Sequence, residues 1–217
     1  MNKDLFKQQE HFSFEDVCAL IQFLRSPEGC PWDRVQTHQS VRRGVIEEAY
    51  EVAEAIDRAD DPMMIEELGD LLMQVLFHAD IAKAEGRFSM QEVYDRLCKK
   101  LIFRHPNIFE GEDAVDWQEL KRREKGQQTL TEELEGIAKT LPALNRAEKI
   151  AGKLAEEKDM LAALLQNSAA NFAEKPNAET LGDLLFTAAS MAKNSNIDPE
   201  EALHRKNQQK IAQTYGK

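Results

Sequence analysis

Cysteine pairs, long apolar runs and a surplus of basic residues are all missing from this chain of 217 residues. Its three cysteines, Cys18, Cys30 and Cys98, form no CxxC pair, so we expect reduced thiols in a cytoplasmic protein. No apolar run approaches the ~20 residues of a membrane span, and the N-terminal segment lacks the apolar stretch of a signal peptide. These absences predict a soluble protein that does not enter a membrane.

The chain also lacks the positive charge that a nucleic-acid-binding surface needs. Its formal net charge of -11 argues against binding to a phosphate backbone. A nucleotide substrate is still compatible with this charge, because a bound cation can reverse the local sign. Residues 47–70 hold ten Asp or Glu residues and one basic residue, Arg58. This acidic segment is where the sequence points to a site.

Almost every periodic segment has helical spacing, which predicts an all-α protein. Ser13, Thr37 and Ser89 stand where N-caps of three helices are expected. Pro62 suits the first turn of another helix, which Gly86 is placed to end. The apolar stripe predicted for the helix after Thr37 comprises Val41, Val45, Ala49, Val52 and Ile56. The pattern predicts a first domain that resembles a four-helix bundle.

Four acids of the acidic segment form two pairs, Glu48/Glu51 and Glu67/Asp70, that mirror each other about Ala59. Positions 48 and 70 sum to 118, and so do positions 51 and 67. Residues three apart share one face of a helix, so a helical hairpin folded at Ala59 would converge four carboxylates. Oxygen-only ligands without a nearby histidine favour Mg²⁺, with Mn²⁺ as a substitute.

Two other interpretations compete with a metal site. A solvated acidic face is common, but two like charges at ~4 Å repel by ~4 kcal/mol at an effective dielectric near 20, and no Lys or Arg stands within either pair. A di-iron bundle needs paired Glu-x-x-His motifs on facing helices. The chain has one such motif, at Glu201 and His204, so the di-iron interpretation fails.

An internal repeat marks a second block of the chain. The five residues 68–72 (LGDLL) recur at 181–185, an offset of 113 residues, and a capped helix follows each copy. Thr180 stands where Glu67 stands in the first copy, and residues 166–172 contain no acidic pair. The second block therefore cannot assemble four carboxylates.

This asymmetry predicts two domains with different roles. We expect a catalytic domain over residues 1–125 and a degenerate, shortened helical domain over residues 126–217. The second block would then serve as a dimerisation or stabilising element.

Five ordered motifs resemble the MazG nucleoside triphosphate pyrophosphohydrolases, which belong to the wider all-α pyrophosphatase superfamily. They are GCPWD at 29–33, EEAYE at 47–51, EELGDLL at 66–72, EGRF at 85–88 and RHPNIF at 104–109. Residues 141–150 resemble the entry to the second domain of two-domain members. The resemblance implies hydrolysis of a nucleoside triphosphate to a monophosphate and pyrophosphate.

The resemblance also implies residue roles. The metal ligands would be Glu48, Glu51, Glu67 and Asp70. Glu47 or Glu66, at the rim of the same face, would accept the proton of the attacking water, and the sequence does not choose between them.

Candidate nucleotide contacts lie outside the acidic segment. Lys100 and Arg104 occupy positions that bind phosphate in related domains, although a basic helix end also complements the helix dipole. Trp32 is either a base-stacking residue or a packing anchor. His38 is a weaker nucleotide-binding candidate.

The predicted activity is Mg²⁺-dependent and broad, and clears unwanted nucleoside triphosphates. A narrower enzyme, acting on dCTP or phosphoribosyl-ATP, is the first alternative. A non-catalytic helical dimer that binds a partner or a nucleotide is the second. We expect a homodimer in each case, because related proteins assemble that way and a small helical unit leaves an apolar stripe exposed.

Overall fold

The computed structural model describes residues 3–111, 116–154 and 157–215. These residues form helices and no strand, which confirms the predicted all-α class. The helices are, in chain order, α1 (Lys3–Gln8), α2 (Phe14–Leu24), α3 (Pro31–Arg34), α4 (His38–Arg58), α5 (Asp61–Ala84), α6 (Met90–Phe103), α7 (Pro106–Phe109), α8 (Trp117–Lys125), α9 (Leu130–Glu135), α10 (Ala143–Leu154), α11 (Lys158–Glu174), α12 (Ala178–Asn194) and α13 (Pro199–Tyr215). Over the described ranges, no helix combines the length and apolar character that a membrane crossing requires.

The chain divides into two compact units, Met1–Glu110 and Gly111–Lys217. The sequence placed this boundary after residue 125, beyond α8. Ion pairs link α8 to the second unit, since Glu133 Oε1 of α9 lies 3.8 Å from Arg122 Nη1 of α8 and Glu133 Oε2 lies 2.5 Å from Lys153 Nζ of α10.

Capping residues set the helix limits in the first unit, as predicted. Ser13, Thr37 and Ser89 form capping boxes at the starts of α2, α4 and α6. Gly86 follows α5 with a φ of 69°, in the left-handed region that glycine enters without steric cost. Short-range hydrogen bonds therefore fix where these helices begin, before any tertiary contact is considered.

A helical hairpin made of α4 and α5 carries the candidate site. Ala59, the C-cap of α4, adopts φ 51° and ψ 42°, and the next residue, Asp60, accepts a hydrogen bond from the N–H of Met63 to cap α5. This connection of two residues reverses the chain at the predicted mirror point, and α4 packs against α5.

The core of the first unit is formed by α2, α4 and α5. Its buried cluster comprises Ile21, Val41, Leu76, Phe77 and Ile81. The predicted stripe of α4 is correct at Val41 but wrong at Ala49 and Ile56, which are exposed, whereas Ala55 is buried. The buried face of α4 is therefore rotated by one position at its C-terminal end.

A buried ion pair fastens α2 to α5. Arg25 Nε donates to Asp80 Oδ2 at 2.8 Å, and Arg25 Nη1 donates to the carbonyl oxygen of Asp33 at 2.6 Å. The guanidinium carbon also lies 5.5 Å from the centre of the Phe77 ring. The Arg25 side chain is 7% exposed and that of Asp80 19% exposed. One arginine thus joins α2, α3 and α5.

In the second unit, α10 and α11 both pack against α12, the helix that contains the repeated LGDLL segment. Leu161 of α11 and Ala189 of α12 are almost fully buried. Thr180, which stands where Glu67 stands in the first unit, donates from Oγ1 to the carbonyl oxygen of Lys175 at 2.8 Å. At this position the repeat has a capping residue in place of an acid.

Candidate metal centre

Glu48, Glu67 and Asp70 bring their carboxylates together on the α4–α5 hairpin, and we call them the acidic triad. The side chains are half-buried, and one oxygen from each lies within 4.8 Å of the other two. Glu48 comes from α4, whereas Glu67 and Asp70 lie three residues apart on one face of α5. No second group of three or more potential metal ligands occurs in the part of the chain that the structure describes. Three of the four acids that are related by the mirror about Ala59 therefore lie close together.

Glu51, the fourth acid of the mirror, lies beside the acidic triad. Its carboxylate is in hydrogen-bonding reach of both Glu48 and Glu67. Glu51 is nevertheless exposed and does not join the group of converging oxygens. The four predicted ligands are thus neighbours, with Glu51 at the edge.

Burial raises the pKa of Glu48 and of Glu67 above the ordinary value of 4.5, and the charges of neighbouring carboxylates raise it further. For Glu48, burial is the largest cause, and the hydrogen bond from Gln74 opposes it. For Glu67, burial is again the largest cause, and the charges of neighbouring carboxylates add to it. A fully ionised acidic triad is therefore unfavourable by itself, and a positive charge between the oxygens would offset the repulsion.

The donor atoms of the acidic triad suit a hard divalent cation. All of them are carboxylate oxygens, and no histidine or cysteine of the described residues joins the group. Mg²⁺ and Mn²⁺ prefer oxygen ligands, whereas Zn²⁺ and Cu²⁺ favour imidazole and thiolate.

The two candidate proton acceptors have different surroundings. Glu47 Oε1 accepts a hydrogen bond from Arg43 Nε at 2.6 Å on the exposed surface of α4. Glu66 is exposed on α5, and its charge contributes, after burial, to the raised pKa of Glu67. Glu66 therefore interacts with the acidic triad, while the charge of Glu47 is balanced by an arginine.

The other predicted nucleotide contacts lie on α3 and α6. Lys100 is in the last turn of α6 and Arg104 is its C-cap, and both are half-buried. Trp32 lies in α3 and is 65% exposed, so it is not a packing anchor within the first unit. The nucleotide contacts of these three residues stay predictions.

His38 contacts His78, a partner that the sequence analysis did not identify. The rings stack with centres 4.9 Å apart at 12°, and their Nδ1 atoms are 2.6 Å apart. At that distance one Nδ1 must carry a proton and the other must accept it. Within the described residues, His38 Nε2 is buried without a hydrogen-bond partner. This contact joins the start of α4 to α5, and nucleotide binding by His38 stays a prediction.

Acidification is expected to destabilise the first unit through His78. Burial lowers the pKa of His78 below its ordinary value of 6.5, and the charge of His38 lowers it further. The unfolded chain then binds a proton at a higher pH than the folded chain. Stability is therefore kept above about pH 6.5 and lost as the pH falls towards the folded pKa.

The substitution His78→Gln tests this pH dependence. It should make the fall in the midpoint temperature of unfolding between about pH 7.5 and pH 5.5 smaller than in wild type, as measured by calorimetry. His11→Gln, at an exposed position, is the control. The same pH profile in wild type and His78→Gln would contradict the prediction.

Two further neighbours of the acidic triad were missed from sequence. Gln74 Nε2 donates to Glu48 Oε1 at 3.4 Å, and Gly44 lies against the Gln74 amide. Positions 44 and 74 also sum to 118, so the mirror about Ala59 would have paired them.

Comparison with known proteins places this site in a family. Residues 36–109, which contain the acidic triad, match the model of the MazG nucleotide pyrophosphohydrolase domain. The chain is 38% identical over 205 residues to the nucleoside triphosphate pyrophosphohydrolase/pyrophosphatase MazG of Thermotoga maritima, covering 88% of this chain and 80% of that protein. The chain belongs to the MazG nucleotide pyrophosphohydrolase family.

Other relatives agree with the MazG assignment. The chain is 34% identical over 217 residues to the nucleoside triphosphate pyrophosphohydrolase of Escherichia coli strain K12, covering 88% of this chain and 82% of the relative. It is 36% identical over 214 residues to the uncharacterised protein YabN of Bacillus subtilis strain 168, of which it spans 44%. Membership of the MazG family places the chain among hydrolases that act on phosphoric anhydride bonds, and it confirms the resemblance seen in the five motifs.

Proposed function

We propose that this protein hydrolyses nucleoside triphosphates to monophosphates and pyrophosphate, with Mg²⁺ held by the acidic triad. The observation that carries the proposal is the convergence of three carboxylates inside the segment that matches the MazG domain. A divalent cation held by these three carboxylates would neutralise phosphate oxygens and lower the pKa of the attacking water. The packed α4–α5 hairpin supplies the rigid support that keeps the three ligands in place.

The contacts of the residues around the acidic triad suggest a separate catalytic or binding role for each. Glu51, within reach of Glu48 and Glu67, is the proposed fourth ligand. Glu66 is favoured over Glu47 as the proton acceptor, because Glu47 is paired with Arg43. Lys100 and Arg104 of α6 are proposed to bind phosphate oxygens, since α6 packs against α5.

A broad nucleotide preference is the proposed specificity. Trp32 offers an exposed indole ring, and stacking on an aromatic ring tolerates every base because each base has a π-face. His38 is the secondary nucleotide-binding candidate. Such an enzyme would clear unwanted triphosphates rather than act on one metabolite.

A substrate panel tests the proposal. The protein is incubated with Mg²⁺ and each common NTP and dNTP, including dCTP, and with phosphoribosyl-ATP, and pyrophosphate and monophosphate are quantified. We expect pyrophosphate from several nucleotides. Turnover of a single substrate would instead favour the narrower enzyme, and orthophosphate would place attack at the wrong phosphorus. No turnover at all would leave the non-catalytic dimer.

A homodimer is the proposed assembly, and α5 carries the surface that supports it. Ile65, Leu68, Leu72 and Val75 follow one another at steps of three and four residues, and their exposure ranges from 36% to 74%. Such spacing places them on one face of the helix. Exposed apolar stripes of this kind mark association surfaces.

The double substitution Leu68→Arg/Leu72→Arg is expected to convert the dimer to monomers, because charged side chains would have to be buried in the interface. Light scattering after size-exclusion chromatography measures the mass. Leu181→Arg/Leu185→Arg, at the equivalent positions of the repeat, is the matched control and should leave a dimer. A monomeric wild type would refute the assembly, and dissociation of the control alone would move the interface to the second unit.

A further inference from the structure

Gln74 of α5 touches the acidic triad without belonging to it. Its Nε2 donates to Glu48 Oε1 at 3.4 Å, and its side chain is half-buried between the two helices of the hairpin. Each oxygen of a carboxylate can accept hydrogen bonds or bind a cation. A donor on Oε1 therefore restricts rotation of the Glu48 carboxylate while leaving Oε2 for a metal ion.

The position of this amide depends on the absence of a side chain at residue 44. A Cβ placed on Gly44 would lie 2.6 Å from Gln74 Nε2 and 3.0 Å from Gln74 Cδ. Both atoms belong to the end of a flexible side chain, so an alanine at position 44 would displace the amide and leave the backbone in place. Glycine is a poor helix former. Its presence inside α4 is explained by the space that it leaves for the Gln74 amide.

We infer that Gln74, whose amide packs against Gly44, is a positioning residue that orients the Glu48 carboxylate towards the cation. The inference rests on the proposed function, because it requires a cation at the acidic triad. Outer partners of metal ligands commonly account for about 10-fold to 100-fold in metal affinity.

Two substitutions remove the contact in independent ways. Gln74→Met keeps the length of the side chain and removes the donor. Gly44→Ala keeps the glutamine and fills the space that its amide occupies. Mn²⁺ alone is the probe, with free Mn²⁺ followed by electron paramagnetic resonance as the full-length protein is added. Both variants are expected to bind Mn²⁺ about 10-fold more weakly than wild type.

Thermal unfolding without a divalent cation separates positioning from a structural role. Gly44→Ala should unfold at the same temperature as wild type or higher, because alanine is the better helix former, although it binds Mn²⁺ less well. The matched control is Gln91→Met on α6, which removes a similar bond from Gln91 Nε2 to Asp95 Oδ1 at 2.9 Å. It should leave Mn²⁺ binding unchanged.

Each alternative outcome has a definite meaning. Equal Mn²⁺ affinity in wild type, Gln74→Met and Gly44→Ala overturns the inference and leaves the proposed function intact. Absence of Mn²⁺ binding by wild type overturns both. A similar loss in Gln91→Met also overturns the inference, since the effect would then not be specific to Glu48.

Discussion

Asp70→Asn is expected to abolish pyrophosphate release, lowering kcat/KM by about 10³-fold or more, whereas Asp183→Asn leaves it unchanged. A bound metal ion contributes several kcal/mol to stabilising the transition state, and each 1.36 kcal/mol is a factor of about ten in rate. Asp70 is part of the acidic triad. Asp183 is its counterpart in the repeat, where Thr180 replaces the neighbouring acid. The two variants therefore make the same chemical change in the same local sequence.

Pyrophosphate release with saturating Mg²⁺ measures this effect, and circular dichroism confirms that both variants are folded. Glu48→Gln and Glu67→Gln should behave like Asp70→Asn, because they remove the other members of the acidic triad. Loss of activity in Asp183→Asn would contradict the assignment of the chemistry to the first unit. Full activity in Asp70→Asn would refute the metal site.

Arg25→Ala is expected to lower the free energy of unfolding of the first unit by about 3 kcal/mol. It leaves the Asp80 carboxylate largely buried without its partner and removes the hydrogen bond to the carbonyl oxygen of Asp33. Arg58→Ala is the matched control, because the Arg58–Glu54 pair is 61% and 57% exposed. Such a surface pair contributes at most about 1 kcal/mol.

Urea unfolding followed by far-UV circular dichroism measures the free energy of unfolding of the wild type and of each variant under the same conditions. The double variant Arg25→Met/Asp80→Leu should recover much of the lost stability, since a buried ion pair can be replaced by apolar groups at little cost. Equal effects of Arg25→Ala and Arg58→Ala would mean that burial of the Arg25–Asp80 pair has no energetic consequence.

Local signals in the sequence predict the helix limits and the hairpin. Ser13, Thr37 and Ser89 predict helix starts because a capping box is completed within four residues of the chain. The meeting of Glu48 with Asp70 also follows from the sequence, because a short reversal between two long helices fixes their register. Both predictions depend on contacts that are near in sequence or related by simple symmetry.

Contacts made by residues that are neither apolar nor acidic escaped prediction. Hydrophobic periodicity selected Val45 and Ala49 for the inner face of α4, whereas Gly44 and Glu48 make the contact with Gln74 of α5. The pattern followed apolar character, but the packing here uses a missing side chain and a hydrogen bond. An inner face that contains a site is therefore poorly marked by hydrophobicity.

Pairs of polar residues far apart in sequence were also missed. His38 and His78 are 40 residues apart, and Arg25 and Asp80 are 55 apart. Neither pair has a local pattern, since each arises only when separate helices are brought together by the core.

The two-residue connection formed by Ala59 and Asp60 makes the length of a loop a determinant of catalysis. One residue added there and taken up into the first turn of α5 would turn the rest of that helix by about 100° about its axis and shift it by about 1.5 Å. Glu67 and Asp70 would then turn away from Glu48 while the helices stay folded. This turn should therefore accept changes of residue type more readily than insertions or deletions. Inserting or deleting a single residue there is expected to leave the helices folded and to abolish activity.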